Sequence, residues 1–316
     1  MQTVQKVPIK KTDLVVSAMC MGGCPLGGYG WGNVQKKDLV NAVKTAVENG
    51  INVFDTADTY GLGESERTLA EGLGADSKNV VIMTKFGVRV ENGKTTYDNS
   101  RKYIFEALES SLRRLKRDYI DLYQVHYRDG ITPLQDVAES LTLLQKQGKI
   151  RYFGLSNIHE KDVEELKGFS QNPFVSFQDE YSLACRKNEK EMFRFRDEFT
   201  MTPFTWGSLG QGILTGKYDE NCSFENNDRR SREIYVNFHG EKLLKNLKIV
   251  DVLREIAKER DKSVSAVAIR WILDYLKGSV VLVGAKNPKQ VLQNIQALHW
   301  TLTEEEVTKL ENVSKG

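Results

Sequence analysis

The segment 53–61 carries an aspartate and a tyrosine five residues apart, Asp55 and Tyr60, where an apolar run gives way to a loop. Two later apolar runs end in Lys85 and in His126. A free phenol has a pKa of about 10 and is a poor proton donor at neutral pH, but a nearby ammonium ion stabilises its phenolate. The pattern predicts Tyr60 as a proton donor, with Lys85 as the charge beside it. Asp55 would orient Lys85, and His126 would hydrogen-bond a substrate carbonyl.

Eight short, β-branched apolar runs alternate with amphipathic helical segments along the chain. The predicted strands are residues 17–21, 51–56, 80–85, 120–126, 150–156, 175–181, 201–206 and 279–284. This alternation requires parallel strands with helical crossovers, and eight units predict an α/β (β/α)₈ TIM barrel occupying residues 1–316 as a single domain. A barrel would bring the four ionisable side chains to one mouth, at the carboxyl ends of its strands.

An open doubly wound sheet has the same local pattern, and the glycine-rich segment 22–32 helps to decide between the two folds. It contains no GxGxxG leading directly into a helix, and no acidic residue follows at the spacing expected for ribose binding. Residues 4–16 are expected to form an N-terminal β-hairpin that plugs the bottom of the barrel. The polar segment 218–240, after the seventh strand, has no apolar stripe to dock it, and we expect it to fold over a bound cofactor.

Composition excludes several classes of protein. The 45 basic and 43 acidic residues nearly cancel and are interspersed, so a nucleic-acid partner is not expected. Cys20 and Cys24 have the wrong spacing for a CxxC pair, which indicates a reducing compartment, and no residue stands at metal-ligand spacing to His126. The basic start resembles a signal peptide but is interrupted by Asp13, and no apolar run reaches the roughly 18 residues of a membrane span. We therefore expect a cytoplasmic protein without metal or membrane partners.

The sequences FDTADTYG, TKFG and DLYQVH resemble those of the aldo-keto reductases, NADPH-dependent oxidoreductases built on a (β/α)₈ barrel. The resemblance covers almost the whole chain. The family's catalytic Asp, Tyr, Lys and His match Asp55, Tyr60, Lys85 and His126. The resemblance implies NADPH as the cofactor, with NADH less favoured, and a small carbonyl, sugar or polyol substrate, as in bacterial-type members.

The resemblance also implies contacts with the nicotinamide, the pyrophosphate and the adenosine 2′-phosphate of the cofactor. The implied residues are Gly23, Ser156, Asn157, Gln178, Trp206, Ser208, Leu209, Gly210, Gln211, Gly212, Lys217, Gly284, Ala285, Lys286, Gln290, Gln293 and Asn294. Lys286, at a helix start, would favour NADPH over NADH. Two residues depart from the usual pattern: Trp206 replaces a tyrosine that stacks on nicotinamide, and Gln293 replaces an acid that often contacts adenine.

The function implied is the interconversion of a carbonyl and an alcohol, with Tyr60 as general acid and base. Tyr29 and Trp31, in the first loop, would form part of the substrate wall or simply pack. Two alternatives stay open. One is a nucleotide-binding regulatory or scaffold subunit of the same fold, as in the potassium-channel β-subunits. The other is a sugar or polyol dehydrogenase or epimerase that works in the oxidative direction.

Overall fold

A computed structural model describes residues 4–315 of the chain. The strands are β1 (Lys6–Pro8), β2 (Val15–Ser17), β3 (Met19–Gly22), β4 (Val53–Asp55), β5 (Val81–Phe86), β6 (Val88–Glu91), β7 (Lys94–Tyr97), β8 (Ile120–Val125), β9 (Ile150–Ser156), β10 (Ser176–Glu180), β11 (Thr202–Trp206) and β12 (Val280–Gly284). The α-helices are α1 (Lys36–Glu48), α2 (Glu64–Leu73), α3 (Arg101–Leu115), α4 (Leu134–Lys146), α5 (Val163–Lys167), α6 (Glu189–Asp197), α7 (Gly240–Glu259), α8 (Val264–Tyr275), α9 (Pro288–Ile295) and α10 (Glu304–Ser314). Each of these helices is too short or too polar to span a lipid bilayer.

Eight parallel strands close into a barrel in the order β3, β4, β5, β8, β9, β10, β11 and β12, with β12 paired to β3. The prediction of a (β/α)₈ barrel is confirmed, and the open doubly wound sheet is excluded. All eight predicted strands are present, and most begin one or two residues later than predicted. Their side chains are buried on both faces, as in β8, where all six residues are buried. Continuous apolar runs are the expected sequence for such strands.

The N-terminal hairpin of β1 and β2 covers the amino-terminal end of the barrel, as predicted. The Lys10 amide donates to Thr202 Oγ1 at the start of β11 (2.8 Å), and the Ser17 amide donates to Asn52 Oδ1 just before β4 (2.6 Å). Arg270, buried in α8, donates to Gln5 Oε1 (2.7 Å). The hairpin therefore closes the end of the barrel opposite the predicted site.

A second hairpin, β6 and β7, follows β5 and was not predicted. Asn92 (φ 51°) and Gly93 (φ 75°) form its turn. An Asn-Gly pair between two β-like runs is a strong hairpin signal, because both turn residues need positive φ. The hairpin places Tyr97 beside Tyr127 at the barrel mouth, with 5.6 Å between their ring centroids.

The segment 218–240, which we call the strap, is docked by side chains that the sequence argument overlooked. The rings of Tyr218, Phe224 and Phe238 pack on one another with centroid distances of 4.9 to 5.5 Å. Arg230 lies over Phe224 and pairs with Asp228 at 2.6 Å. The expectation that the strap has no apolar surface to hold it was wrong, because three aromatic residues without helical spacing form a cluster only in three dimensions.

The first loop crosses the loop after β4 at Gly27 and Gly61, immediately beside Tyr60. Gly61 has a φ of +60°, and a Cβ there would lie 2.3 Å from the Gly27 carbonyl oxygen. Gly28 also has positive φ (+71°), but a Cβ there would meet nothing within 4 Å. Substitutions at these two glycines therefore distinguish the free-energy cost of the backbone conformation from the cost of a steric clash.

We expect Gly61→Ala to reduce the free energy of unfolding by clearly more than the about 1–2 kcal/mol that a left-handed conformation costs a non-glycine residue. Gly28→Ala should lose only that conformational term. Urea unfolding of both variants checks this prediction. Equal losses would show that the loop crossing relaxes freely and does not fix the position of Tyr60.

Candidate active site

Asp55, Tyr60, Lys85 and His126 meet at the carboxyl-terminal mouth of the barrel. Asp55 ends β4, Tyr60 lies in the following loop, Lys85 belongs to β5, and His126 directly follows β8. Lys85 Nζ lies 2.6 Å from Asp55 Oδ2 and 3.5 Å from Tyr60 Oη. The rings of Tyr60 and His126 meet edge to face, with centroids 5.6 Å apart. The geometry places the phenol of Tyr60 beside both an ammonium ion and an imidazole.

The ion pair of Asp55 and Lys85 is buried and anchored by several hydrogen bonds. Lys85 Nζ also donates to the Thr56 carbonyl oxygen (3.0 Å). Asp55 Oδ1 accepts from Gln178 Nε2 (3.0 Å) and from Gln124 Nε2 (3.4 Å). Buried charges need such partners to offset the loss of hydration. Gln124 was missed by the sequence argument, although it stands in DLYQVH, two residues before His126, and such alternate strand positions share a face.

Burial sets the protonation states of the phenol and the imidazole. Although Tyr60 is partly exposed as a residue, burial of its hydroxyl raises the pKa of Tyr60 well above the usual range, and the charge of Asp55 raises it further. Burial, followed by the charge of Lys85, lowers the pKa of His126 well below its usual range. Both groups are therefore neutral at pH 7. The resting form of Tyr60 is thus the phenol, which is the form that a proton donor requires.

A second network surrounds Asn157 beyond the end of β9. Asn157 Nδ2 donates to the His126 carbonyl oxygen (2.9 Å), and its Oδ1 accepts from Trp206 Nε1 (3.2 Å). Ser156 Oγ donates to the Gln178 carbonyl oxygen (3.0 Å). The indole that replaces the expected tyrosine is thus fixed by its own N–H group. Trp206 and Asn157 hold each other's orientation.

A cavity of about 720 Å³ extends from Asp55, Tyr60 and His126 to the loops that follow β11 and β12. The cofactor residues implied by the sequence that line it are Gly23, Ser156, Asn157, Gln178, Trp206, Ser208, Leu209, Gln211, Gly212, Lys217, Gly284, Lys286, Gln290, Gln293 and Asn294. Gly210 and Ala285 are buried outside this lining. Of the two predicted substrate residues, Trp31 lines the cavity, whereas Tyr29 is 65% exposed and does not.

The loop after β11 turns sharply through three consecutive residues with positive φ: Gly210 (55°), Gln211 (54°) and Gly212 (111°). The side chain of Gln211 donates to Glu180 Oε1 (3.3 Å) and accepts from Asn237 in the strap. The strap is thus hydrogen-bonded to the loop implied for the pyrophosphate.

Lys286 directly precedes the N-cap of α9, at the predicted helix start. Its ammonium group donates to the Trp31 carbonyl oxygen of the first loop. Burial, and then the charge of Arg230, lowers the pKa of Lys286. The side chain nevertheless lines the cavity, so its charge faces the space implied for the adenosine end.

Three polar residues at the start of α8 also line the cavity and were missed: Lys262, Ser263 and Ser265. Ser263 is the N-cap of this helix and accepts from the Ala266 amide. The sequence KSVSA contains a typical N-cap serine after a lysine, which would have indicated a helix start with a nearby cation. Two helix starts, those of α8 and α9, therefore adjoin the same end of the cavity.

Comparison with known proteins agrees with this geometry. The model of the aldo/keto reductase family matches residues 18–315. The chain belongs to this family. It is 32% identical to the aldo-keto reductase YhdN of Bacillus subtilis over 308 residues, which are 96% of this chain and 92% of that protein. The resemblance drawn from the three short motifs is confirmed, and family membership classes the chain as an oxidoreductase.

Two further members of the aldo/keto reductase family resemble this one over nearly the full chain. The structure of the glycerol dehydrogenase of Gluconobacter oxydans has a TM-score of 0.88 at 31% identity, with 98% of this chain and 94% of that chain covered. A putative voltage-gated potassium channel subunit beta of Schizosaccharomyces pombe is 30% identical, with 96% of this chain and 91% of that protein covered. The same barrel thus occurs in relatives named for quite different functions.

Proposed function

We propose that this aldo/keto reductase is an NADP(H)-dependent oxidoreductase that interconverts aldehydes or ketones and alcohols, with Tyr60 as general acid and base. The observation that carries the proposal is the neutral Tyr60 hydroxyl, 3.5 Å from the ammonium of Lys85 at one end of a long cavity. A phenol in this position can donate a proton, and the phenolate that results is stabilised by the adjacent charge.

Each residue of the site has a defined task in the reductive direction. The bound nicotinamide would supply the hydride. Tyr60 donates its proton to the carbonyl oxygen, and Lys85 stabilises the phenolate that is left. His126 is neutral and can donate a hydrogen bond to the same oxygen, which favours the negative charge that develops there. Asp55 keeps Lys85 in place. In the oxidative direction the phenolate accepts the proton of the alcohol.

The cavity suits NADPH in its shape and in the charges along it. Near Tyr60, the indole of Trp206 offers an aromatic face, and Asn157 and Gln178 offer amide groups. At the far end, Lys217, Lys262 and Lys286 lie along the wall, where a dinucleotide's phosphates would need cations. One of these three lysines exceeds what a pyrophosphate needs, which supports binding of a 2′-phosphate. We infer that NADPH is preferred to NADH.

The alternative of a nucleotide-binding regulatory subunit draws on the channel-subunit relative. The assembled Asp55, Tyr60 and Lys85 constellation favours an enzyme, since nucleotide binding alone does not need a proton donor next to an ammonium ion. The glycerol dehydrogenase relative supports a small aldehyde, sugar or polyol as substrate. A turnover screen of aldehydes, ketoses and polyols with NADPH, NADP⁺ and the NADH pair tests the proposal. Tight cofactor binding without turnover of any compound would favour the regulatory subunit.

Tyr60→Phe should lower the rate of the chemical step by about 10²-fold or more while cofactor binding is retained, because only the transferable proton is lost. Single-turnover reduction and a fluorescence titration with NADPH measure the two effects. Tyr97→Phe, at the exposed edge of the mouth, is the matched control and should keep the wild-type rate. If Tyr60→Phe also keeps it, Tyr60 is not the acid.

Lys85→Met should slow the chemistry and shift the pH dependence of alcohol oxidation to higher pH. Oxidation needs the phenolate, so its rate rises as the pH passes the pKa of Tyr60. Removal of the ammonium ion raises this pKa and moves the rise upward. The pH profile of single-turnover oxidation provides the measurement. An unchanged profile, with chemistry limiting the rate, would contradict the role of Lys85.

Lys286→Ala should weaken NADPH far more than NADH, by about 1.5–3 kcal/mol, the usual range for a hydrogen bond to a charged group. Lys289→Ala, at an exposed position in the first turn of α9, should change neither affinity. Parallel titrations of both variants with both cofactors give the comparison. Equal weakening of NADPH and NADH by Lys286→Ala would instead mean that its bond to the first loop is what matters.

A further inference from the structure

Arg229 in the strap contacts a backbone carbonyl group and two aromatic rings. Its Nη2 donates to the Tyr29 carbonyl oxygen (2.9 Å), and its guanidinium lies over the rings of Trp31 (5.2 Å) and Tyr29 (5.8 Å). Among residues 4–315, no Asp or Glu oxygen comes within the 4.0 Å of an ion pair to it. The neighbouring Arg230 is different, because it pairs with Asp228 and donates to Tyr218 Oη.

Arg229 shares the ring of Trp31 with Arg230 and Lys286, whose charged groups lie 5.8 and 5.9 Å from its centroid. Arg229 lines the cavity together with Tyr60 and His126. Against the larger upward effects of burial and Asp55, the charge of Arg229 acts to lower the pKa of Tyr60. The pKa of Lys286, after the effect of burial, responds instead to Arg230, Asp228 and Lys217. Arg229 therefore lines the cavity that Tyr60 and His126 share, as a cation that no carboxylate of residues 4–315 pairs with.

The guanidinium of Arg229 is held in place before any ligand arrives. The Arg229 amide donates to the Gly30 carbonyl oxygen (3.1 Å). Gly30 leaves room for the side chain, since a Cβ there would lie 2.6 Å from Arg229 Nε. Two aromatic faces and a hydrogen bond to the backbone restrict its rotamers. A preformed guanidinium with unused N–H groups loses little entropy when it binds an anion.

We propose that Arg229 binds an anionic group of the substrate, a carboxylate or a phosphate, so that this enzyme prefers short carbonyl compounds that carry a negative charge. This inference rests on the proposed function. A guanidinium presents parallel N–H groups that match two oxygens of either anion. The proposal also changes the role of Tyr29. This residue holds the guanidinium of Arg229 in place and does not itself form the substrate wall.

The test compares pairs of substrates that differ in one anionic group. Succinic semialdehyde is compared with butanal for the carboxylate, and glyceraldehyde 3-phosphate with glyceraldehyde for the phosphate, all with NADPH. We expect kcat/KM to favour the anionic member of at least one pair by about 10- to 100-fold, the range for a charged hydrogen bond. The pair with the larger ratio identifies the anion. Arg229→Gln should reduce that ratio to near one, mainly through KM.

Arg232→Gln is the matched control, because Arg232 lies in the same strap but is exposed and does not line the cavity. It should retain the wild-type ratio. A fluorescence titration with NADPH separates substrate binding from cofactor binding. If Arg229→Gln weakens NADPH and leaves the ratio intact, Arg229 serves the cofactor and the proposal is wrong. Equal kcat/KM for charged and neutral aldehydes in the wild-type enzyme would likewise overturn it.

A binding experiment keeps the inference testable if no substrate is turned over, an outcome that would reject the proposed function. Succinate and inorganic phosphate are titrated calorimetrically into the complex with NADP⁺. Wild-type protein and Arg232→Gln should bind one of them at least 10-fold more tightly than Arg229→Gln does. Absence of binding by the wild-type complex, or equal binding by Arg229→Gln, would reject the anion site independently of catalysis.

Discussion

The ion pair between Lys85 and Asp55 is the constraint around which the mouth of the barrel is arranged. A fully buried lysine must be paired, and Asp55 is the carboxylate that pairs with it at 2.6 Å. The two residues come from adjacent strands, β4 and β5, so the register of the barrel fixes their distance. Gln124 and Gln178 then hold the other carboxylate oxygen. The hydroxyl of Tyr60 lies in the electrostatic field of this ion pair.

Burial at the mouth of the barrel keeps Tyr60 and His126 neutral beside the fixed positive charge of Lys85. Because desolvation disfavours the charged forms, Tyr60 remains a phenol and His126 an imidazole. In the proposed reaction, charge would appear on these groups only as the proton moves, and Lys85 is already positioned to stabilise that charge. Stabilisation that exists before the reaction costs no reorganisation during it. The site thus combines a permanent ion pair with groups that ionise only transiently.

The features predicted from the sequence are those that depend on local pattern and on strand order. Asp55, Lys85 and His126 could be placed because each stands at or near the end of an apolar strand, and parallel strands end on one side of a barrel. Gln124 and Lys262 stand beside recognisable signals, the strand that leads to His126 and the N-cap serine Ser263, but those signals do not show which groups the two side chains meet. The contacts of Arg229 with Tyr29 and Trp31 likewise arise only when the first loop and the strap pack together. The hairpin of β6 and β7, by contrast, was signalled by Asn92 and Gly93 and was simply overlooked.

Trp31 contacts three loops, so it would link the proposed anion site to the cation proposed for the 2′-phosphate. Its backbone forms a β-bridge with Asp228 of the strap. Its ring lies under the guanidinium of Arg229, and its carbonyl oxygen accepts a hydrogen bond from Lys286, which follows β12. A change in the first loop would therefore reach both the anion site and the cation implied for the 2′-phosphate. Residues that share partners in this way give non-additive effects when they are changed together. Cofactor preference and substrate charge preference in this enzyme should consequently be coupled, with Trp31 as the shared contact.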